Sequence, residues 1–183
     1  MTDHAVPDDF VNALLSLREA PRNPEVELEE VPSPGRLAPW TAALALRTLR
    51  EDHDQPLASG RFVVLHDPET QPGWNGDFRI VSQLRTQIDP DMGSDPLLGE
   101  AVWGWAHECL EDAGAGYHDL TGTVTREISE SFGGLALRGS TLHVELRASW
   151  TPATACLGEH LVAWSDLLCR TSGISPIHYL EGA

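Results

Sequence analysis

Lysine is absent from this 183-residue chain: its 12 basic residues are all arginine, set against 28 acidic ones, for a formal charge of −16. Binding to nucleic-acid phosphates or to an anionic membrane surface is driven by clustered basic side chains. No such cluster occurs, so neither partner is expected. The missing lysine fits a GC-rich genome, with salt adaptation of an acid-rich surface as the alternative. Cysteine is scarce too: Cys109, Cys156 and Cys169 form no Cys-x-x-Cys pair. An odd, unspaced set argues against a disulfide framework and fits a reducing cytoplasm. The start Met1–His4 lacks the basic and apolar regions of a secretory signal. No apolar run approaches the roughly 18 residues of a membrane span. A cytoplasmic protein is expected, with no cofactor and no metal.

What is present is enough for a core, since 41% of the residues are hydrophobic. Length and composition predict a single α+β domain over 1–183, with an ordered core at about 8–173. Phe10, Ala13, Leu14 and Leu17 share one helical face between Pro7 and Pro21. Glu25–Val31 alternates as a short edge strand. Pro32–Pro39 is an extended connector, holding three prolines and a glycine. Ala42–Leu49 fits neither period cleanly and leans to strand. Arg61–His66 and Asp77–Ile88 read as strands joined through an Asn75-Gly76 turn.

A helix follows over Pro96–Ala113, capped by Asp95 and striped with Leu98, Val102, Trp105 and Cys109. Tyr117–Phe132 reads as a long strand. Thr141–Trp150 is the cleanest: Leu142, Val144, Leu146, Ala148 and Trp150 alternate with polar residues. Thr151-Pro152 resembles a second cap-and-proline helix start, leading to the stripe Leu157, Leu161, Trp164 and Leu168 and ending at Gly173. The order is α-β-β-β-β-α-β-β-α. It predicts an antiparallel sheet of about five strands with helices on one face.

Several strings recur as a set: Glu29-Glu30-Val31-Pro32, Arg36-Leu37-Ala38-Pro39-Trp40, Leu65-His66-Asp67-Pro68 and Trp74-Asn75-Gly76-Asp77-Phe78-Arg79. With them go Asp95-Pro96-Leu97-Leu98, Ser129-Glu130-Ser131-Phe132-Gly133-Gly134 and Arg147-Ala148-Ser149-Trp150-Thr151-Pro152. Together they resemble the domain-of-unknown-function family 3000 of high-GC Gram-positive bacteria, from about Phe10 to Gly173. The resemblance supports the genomic explanation for the missing lysine. It implies no activity, cofactor or catalytic residue.

Candidate chemistry is weak throughout. Asp89, Asp91, Asp95 and Glu100 fall at calcium-loop positions, but Ser94 stands where the sharp turn needs glycine. Cys156 and His160 are four apart and would share a face if both were helical. His107 and Cys109 diverge by about 200° on their helix, so a four-ligand zinc site is not expected. No G-x-S-x-G elbow is present, and Gly114-Ala115-Gly116 follows a helix rather than opening one.

The polar sheet face is the more informative feature. Arg79, Gln83, Arg85, Glu127, Glu145 and Arg147 should lie together, either as solvated cross-strand pairs or as a binding surface. Trp74 and Trp103 fall outside the apolar stripes and mark either an interface or covers of a sheet edge. Between Arg85 and Arg126 stand eight acidic residues and no basic one. That segment could steer a basic partner. The leading reading is a non-catalytic protein-interaction or regulatory protein, without nucleic acid or membrane. The alternative is a small-molecule binding protein or hydrolase with a cleft beside the polar face.

Overall fold

The computed structural model describes residues 5–174. Residues 1–4 and 175–183 lie outside the described part, including the Met1–His4 start and both ends of the expected 1–183 domain. The elements in chain order are α1 (Asp8–Glu19), β1 (Val26–Val31), β2 (Trp40–Thr48), β3 (Glu51–Asp52), β4 (Gln55–Pro56), β5 (Ala58–His66), β6 (Phe78–Ile88), α2 (Leu98–Asp112), β7 (Tyr117–Glu130), β8 (Ser140–Pro152) and α3 (Gly158–Thr171). Two 3-10 turns, Pro90–Ser94 and Gly133–Arg138, punctuate the second half.

Six strands form one antiparallel sheet in the order β1-β2-β5-β6-β8-β7, one more than expected, and β3 and β4 make a separate small hairpin. The ambiguous Ala42–Leu49 segment is strand β2, paired on both sides. Period-2 alternation then sorts the side chains. Leu46, Phe62, Val64, Ile80, Leu84, Val144, Leu146 and Trp150 are buried against the helices. All three helices contribute to that same core, through Phe10, Ala13 and Leu17, through Leu98, Val102 and Leu110, and through Leu161, Trp164 and Leu168. Full burial of such a side chain contributes about 1.5–3 kcal/mol, so this layer dominates stability.

Local chemistry sets the helix ends. Asp8 and Asp9 occupy the first turn of α1, where negative charge complements the helix dipole, and Ala20 is extended before Pro21. Gly114, at φ +72, turns the chain out of α2, and the Ala115 amide donates to Leu110 O at 3.0 Å.

Two expected helix starts are displaced. Asp95 Oδ1 accepts from the Leu97 amide at 2.9 Å, so Asp95 closes a turn, and α2 begins at Leu98 with no side-chain cap. Thr151 and Pro152 are the last residues of β8, paired with His118 and Tyr117. The last helix starts six residues later, at Gly158, where a Cβ would meet Ser16 O of α1 at 2.9 Å. Its expected stripe is correct, with Leu157, Leu161, Trp164 and Leu168 all buried. On α2 the stripe is rotated slightly: Ala106 and Leu110 are buried, and Trp105 lies half-buried beneath the Arg170 guanidinium, 5.3 Å from the ring centre.

No helix among the described residues is long and apolar enough to cross a membrane.

Candidate functional site

Arg79, Gln83 and Arg85 on β6, Glu145 and Arg147 on β8 and Glu127 on β7 share the sheet face opposite the helices. Register places them side by side: Gln83 faces Arg147, and Arg85 faces Glu145. The charges form a ladder. Arg85 reaches Glu127 at 3.1 Å and Glu145 at 3.7 Å, and Arg147 Nε donates to Glu145 Oε1 at 2.5 Å. The hydrogen bond and charge of Arg85 hold the Glu127 carboxyl below its ordinary value. Two arginines and two glutamates cancel, so the ladder has no net charge to offer a charged ligand.

Arg79 stands apart from it. Its Nε donates to Ser149 Oγ at 2.7 Å and its Nη1 to Thr151 Oγ1 at 2.9 Å. Thr151 Oγ1 in turn donates to Trp74 O at 2.5 Å. Burial lowers the Arg79 pKa, and Asp119 pulls it back up. This is a structural clasp holding the β5–β6 loop to β8.

The two tryptophans are largely covered. Trp74 is 9% exposed and packs on Leu65 and Ala38, covering the end of the polar face with an apolar lid. Trp103 is half-buried over Gly122 of β7, with His107 against its ring at 5.1 Å. Both cover the sheet within their own chain. Sequence could not show this, because Leu65 and Gly122 become their neighbours only through folding.

The nitrogen and sulfur donors do not converge. Cys156 precedes α3 and is exposed, whereas His160 is buried within the helix. The expected shared helical face therefore does not exist. His160 Nδ1 accepts the indole proton of Trp150 at 2.9 Å, and burial lowers its pKa to about 4. His107 Nδ1 lies 3.0 Å from the Tyr117 hydroxyl. Among the described residues no three His, Cys, Asp or Glu side chains are grouped to hold a metal.

Two features escaped the sequence reading. One is the β7–β8 connection. Phe132 is 76% exposed, Leu135 52%, and Leu137 is fully exposed. The signal was legible as three large apolar residues within a glycine-flanked turn. Nearby, Ile128 and Met92 are exposed, and Arg126 Nη1 donates to Asp95 O at 2.5 Å, tying the Pro90–Ser94 turn to β7. The other is a cavity of about 380 Å³ on the helix side of the sheet, beneath α1. None of the six polar-face residues lines it.

No curated protein and no solved structure matches the chain. A family model does, over residues 6–180, which is nearly the whole length and agrees with the resemblance carried by the strings above. The chain belongs to the family described as protein of unknown function (DUF3000).

Proposed function

We propose that this protein is a non-catalytic interaction protein that docks a basic protein partner on the arm formed by the end of β7 and the Gly133–Arg138 turn. The observation that carries this is the exposure of Phe132, Leu135 and Leu137 within one short connection. Side chains of that size held in water mark a contact surface. Acidic groups at the same end of the sheet outnumber the arm's own Arg138 and set the sign of the rim: Glu130 on the arm, and Asp89 and Asp91 on the turn that Arg126 anchors. An apolar centre with a charged rim is the usual anatomy of a docking site, and the sign of the rim selects a basic partner. The self-neutralised ladder has no unpaired charge of its own to offer a charged partner, which supports docking on the arm rather than there. The unpaired thiols of Cys109, Cys156 and Cys169 support a reducing, cytoplasmic setting.

The test compares the wild-type chain with a Phe132→Ser, Leu135→Ser, Leu137→Ser variant. Partners are captured from native cell extract, identified, purified and titrated back at low and high salt. The expected partner is basic, binds more weakly as salt rises, and loses at least about tenfold in affinity for the variant. Equal affinity for both chains would overturn the reading. A chain that instead dimerises in light scattering, and does so only with the three apolar residues intact, would replace it with self-association.

A further inference from the structure

α1 does not lie flush on the sheet. Between its Leu14 and Leu17 side chains and the strands β1, β2 and β5, the fold leaves a cavity of about 380 Å³, a size typical of small-molecule sites. The opening has a local cause. Ala42 stands on β2 where a larger residue would fill the space, with Leu44 two positions along the same face and the buried Phe62 and Val64 of β5 behind them. The interior is therefore apolar.

The mouth is charged. Arg18 and Arg22 stand there together with Glu30, and all three are exposed. Elsewhere on the molecule Arg47, Arg50, Arg85, Arg147 and Arg170 are each bound to a carboxylate. Arg18 and Arg22 have no carboxylate within ion-pair distance among the described residues. Arg22 lies back along α1, its Nη2 donating to Arg18 O at 3.3 Å, which holds its guanidinium beside the last turn of the helix. In a chain of charge −16, an apolar cavity whose mouth is net positive is a local exception. A guanidinium fork matches a carboxylate in shape as well as charge.

We propose that this cavity binds a small organic acid with an apolar chain or ring, its body against the partly exposed Leu14, Ala42 and Leu44 and its carboxylate held by Arg18 and Arg22. The site is independent of the arm: it lies at the other end of the sheet order, against β1, β2 and β5 rather than β7. Ligand and partner can therefore fail or succeed separately.

The test is calorimetric titration of the full chain with octanoate, with octanol and octylammonium as comparators. Octanoate is expected to bind with a Kd of about 1 mM or below, ahead of both comparators. The double variant Arg18→Gln, Arg22→Gln changes only exposed side chains, so it should fold normally and weaken octanoate about tenfold while leaving octanol unchanged. Glu30→Gln should bind octanoate at least as well as wild type. Ala42→Met should block octanoate by filling the cavity, and Leu14→Phe plugs the same space from the helix side should that variant not fold. Octanol binding as tightly as octanoate, or octanoate indifferent to the arginine changes, would overturn the acid as ligand. Octanoate binding undisturbed by both plugs, or absent altogether, would overturn the site.

Discussion

The indole N–H of Trp150 donates to Nδ1 of His160 across 2.9 Å in the middle of the core, where both side chains are almost fully buried. That bond requires a neutral imidazole with its proton on Nε2. Burial lowers the pKa of His160 from 6.5 to about 4, with Glu159 pulling weakly the other way. The unfolded chain therefore binds a proton at higher pH than the folded one. Stability from this residue is fully present above pH 6.5 and is lost as pH falls from there through about 4. The gap corresponds to about 3 kcal/mol. Urea unfolding at pH 7, 5.5 and 4 should show a smaller loss on acidification for His160→Gln than for wild type. Parallel curves for the two chains would show that His160 titrates as it does in water.

Gly122 and Trp103 fit each other so closely that position 122 has no room for a side chain while the indole is in place. A Cβ at position 122 would collide with the Trp103 ring and lie 2.7 Å from Arg147 O. Gly122→Ala should cost about 2–3 kcal/mol by chemical denaturation. In a Trp103→Ala background the same change should cost less, because one of its two clashes is gone. Identical costs in both backgrounds would mean that the indole does not press on β7.

The Glu127–Arg85–Glu145–Arg147 ladder is mutually neutralised and open to water at Glu127 and Arg147, with Arg85 and Glu145 half-buried between them, so its removal should be cheap. Glu145→Gln should lower stability by no more than about 1 kcal/mol, and by less in high salt. A larger, salt-insensitive loss would show that the ladder is shielded from solvent.

The arm carries its apolar residues at no benefit to folding. The triple serine variant at positions 132, 135 and 137 should unfold within about 0.5 kcal/mol of wild type, since these side chains lie in water already. A loss of several kcal/mol would show that they are covered in solution by the chain itself.

Alternation on Thr141–Trp150 was legible because β8 lies between two strands, with one face wholly buried, so every second residue answers to the core. β7, on the sheet edge, shows a faint pattern for the same reason: most of its side chains meet water on both faces. The helical stripes were legible from spacing alone. Thr151-Pro152 misled because a capping residue before proline suits the exit from a strand as well as the entry to a helix. What fixes the start of α3 is the closeness of Gly158 to Ser16 O, a contact 142 positions apart in sequence that no local pattern encodes. The candidate polar residues were placed on one face by parity alone, whereas their pairing into a neutral ladder depends on register. The cavity under α1 is a property of how a helix seats over one alanine, Ala42, of a distant strand, and periodicity carries no trace of it.

Chain order and spatial order part at one place in the sheet. β7 is made before β8 yet ends up outside it, with β8 inserted between β7 and β6. During synthesis, therefore, β6 emerges with its inner edge open, and α2 and the whole of β7 must follow before the strand that closes it. An uncovered edge of eleven residues is a template for pairing with other chains. The newborn protein is most prone to aggregate in that interval, and the risk ends when the β7–β8 hairpin docks as a unit, after residue 152 has left the ribosome.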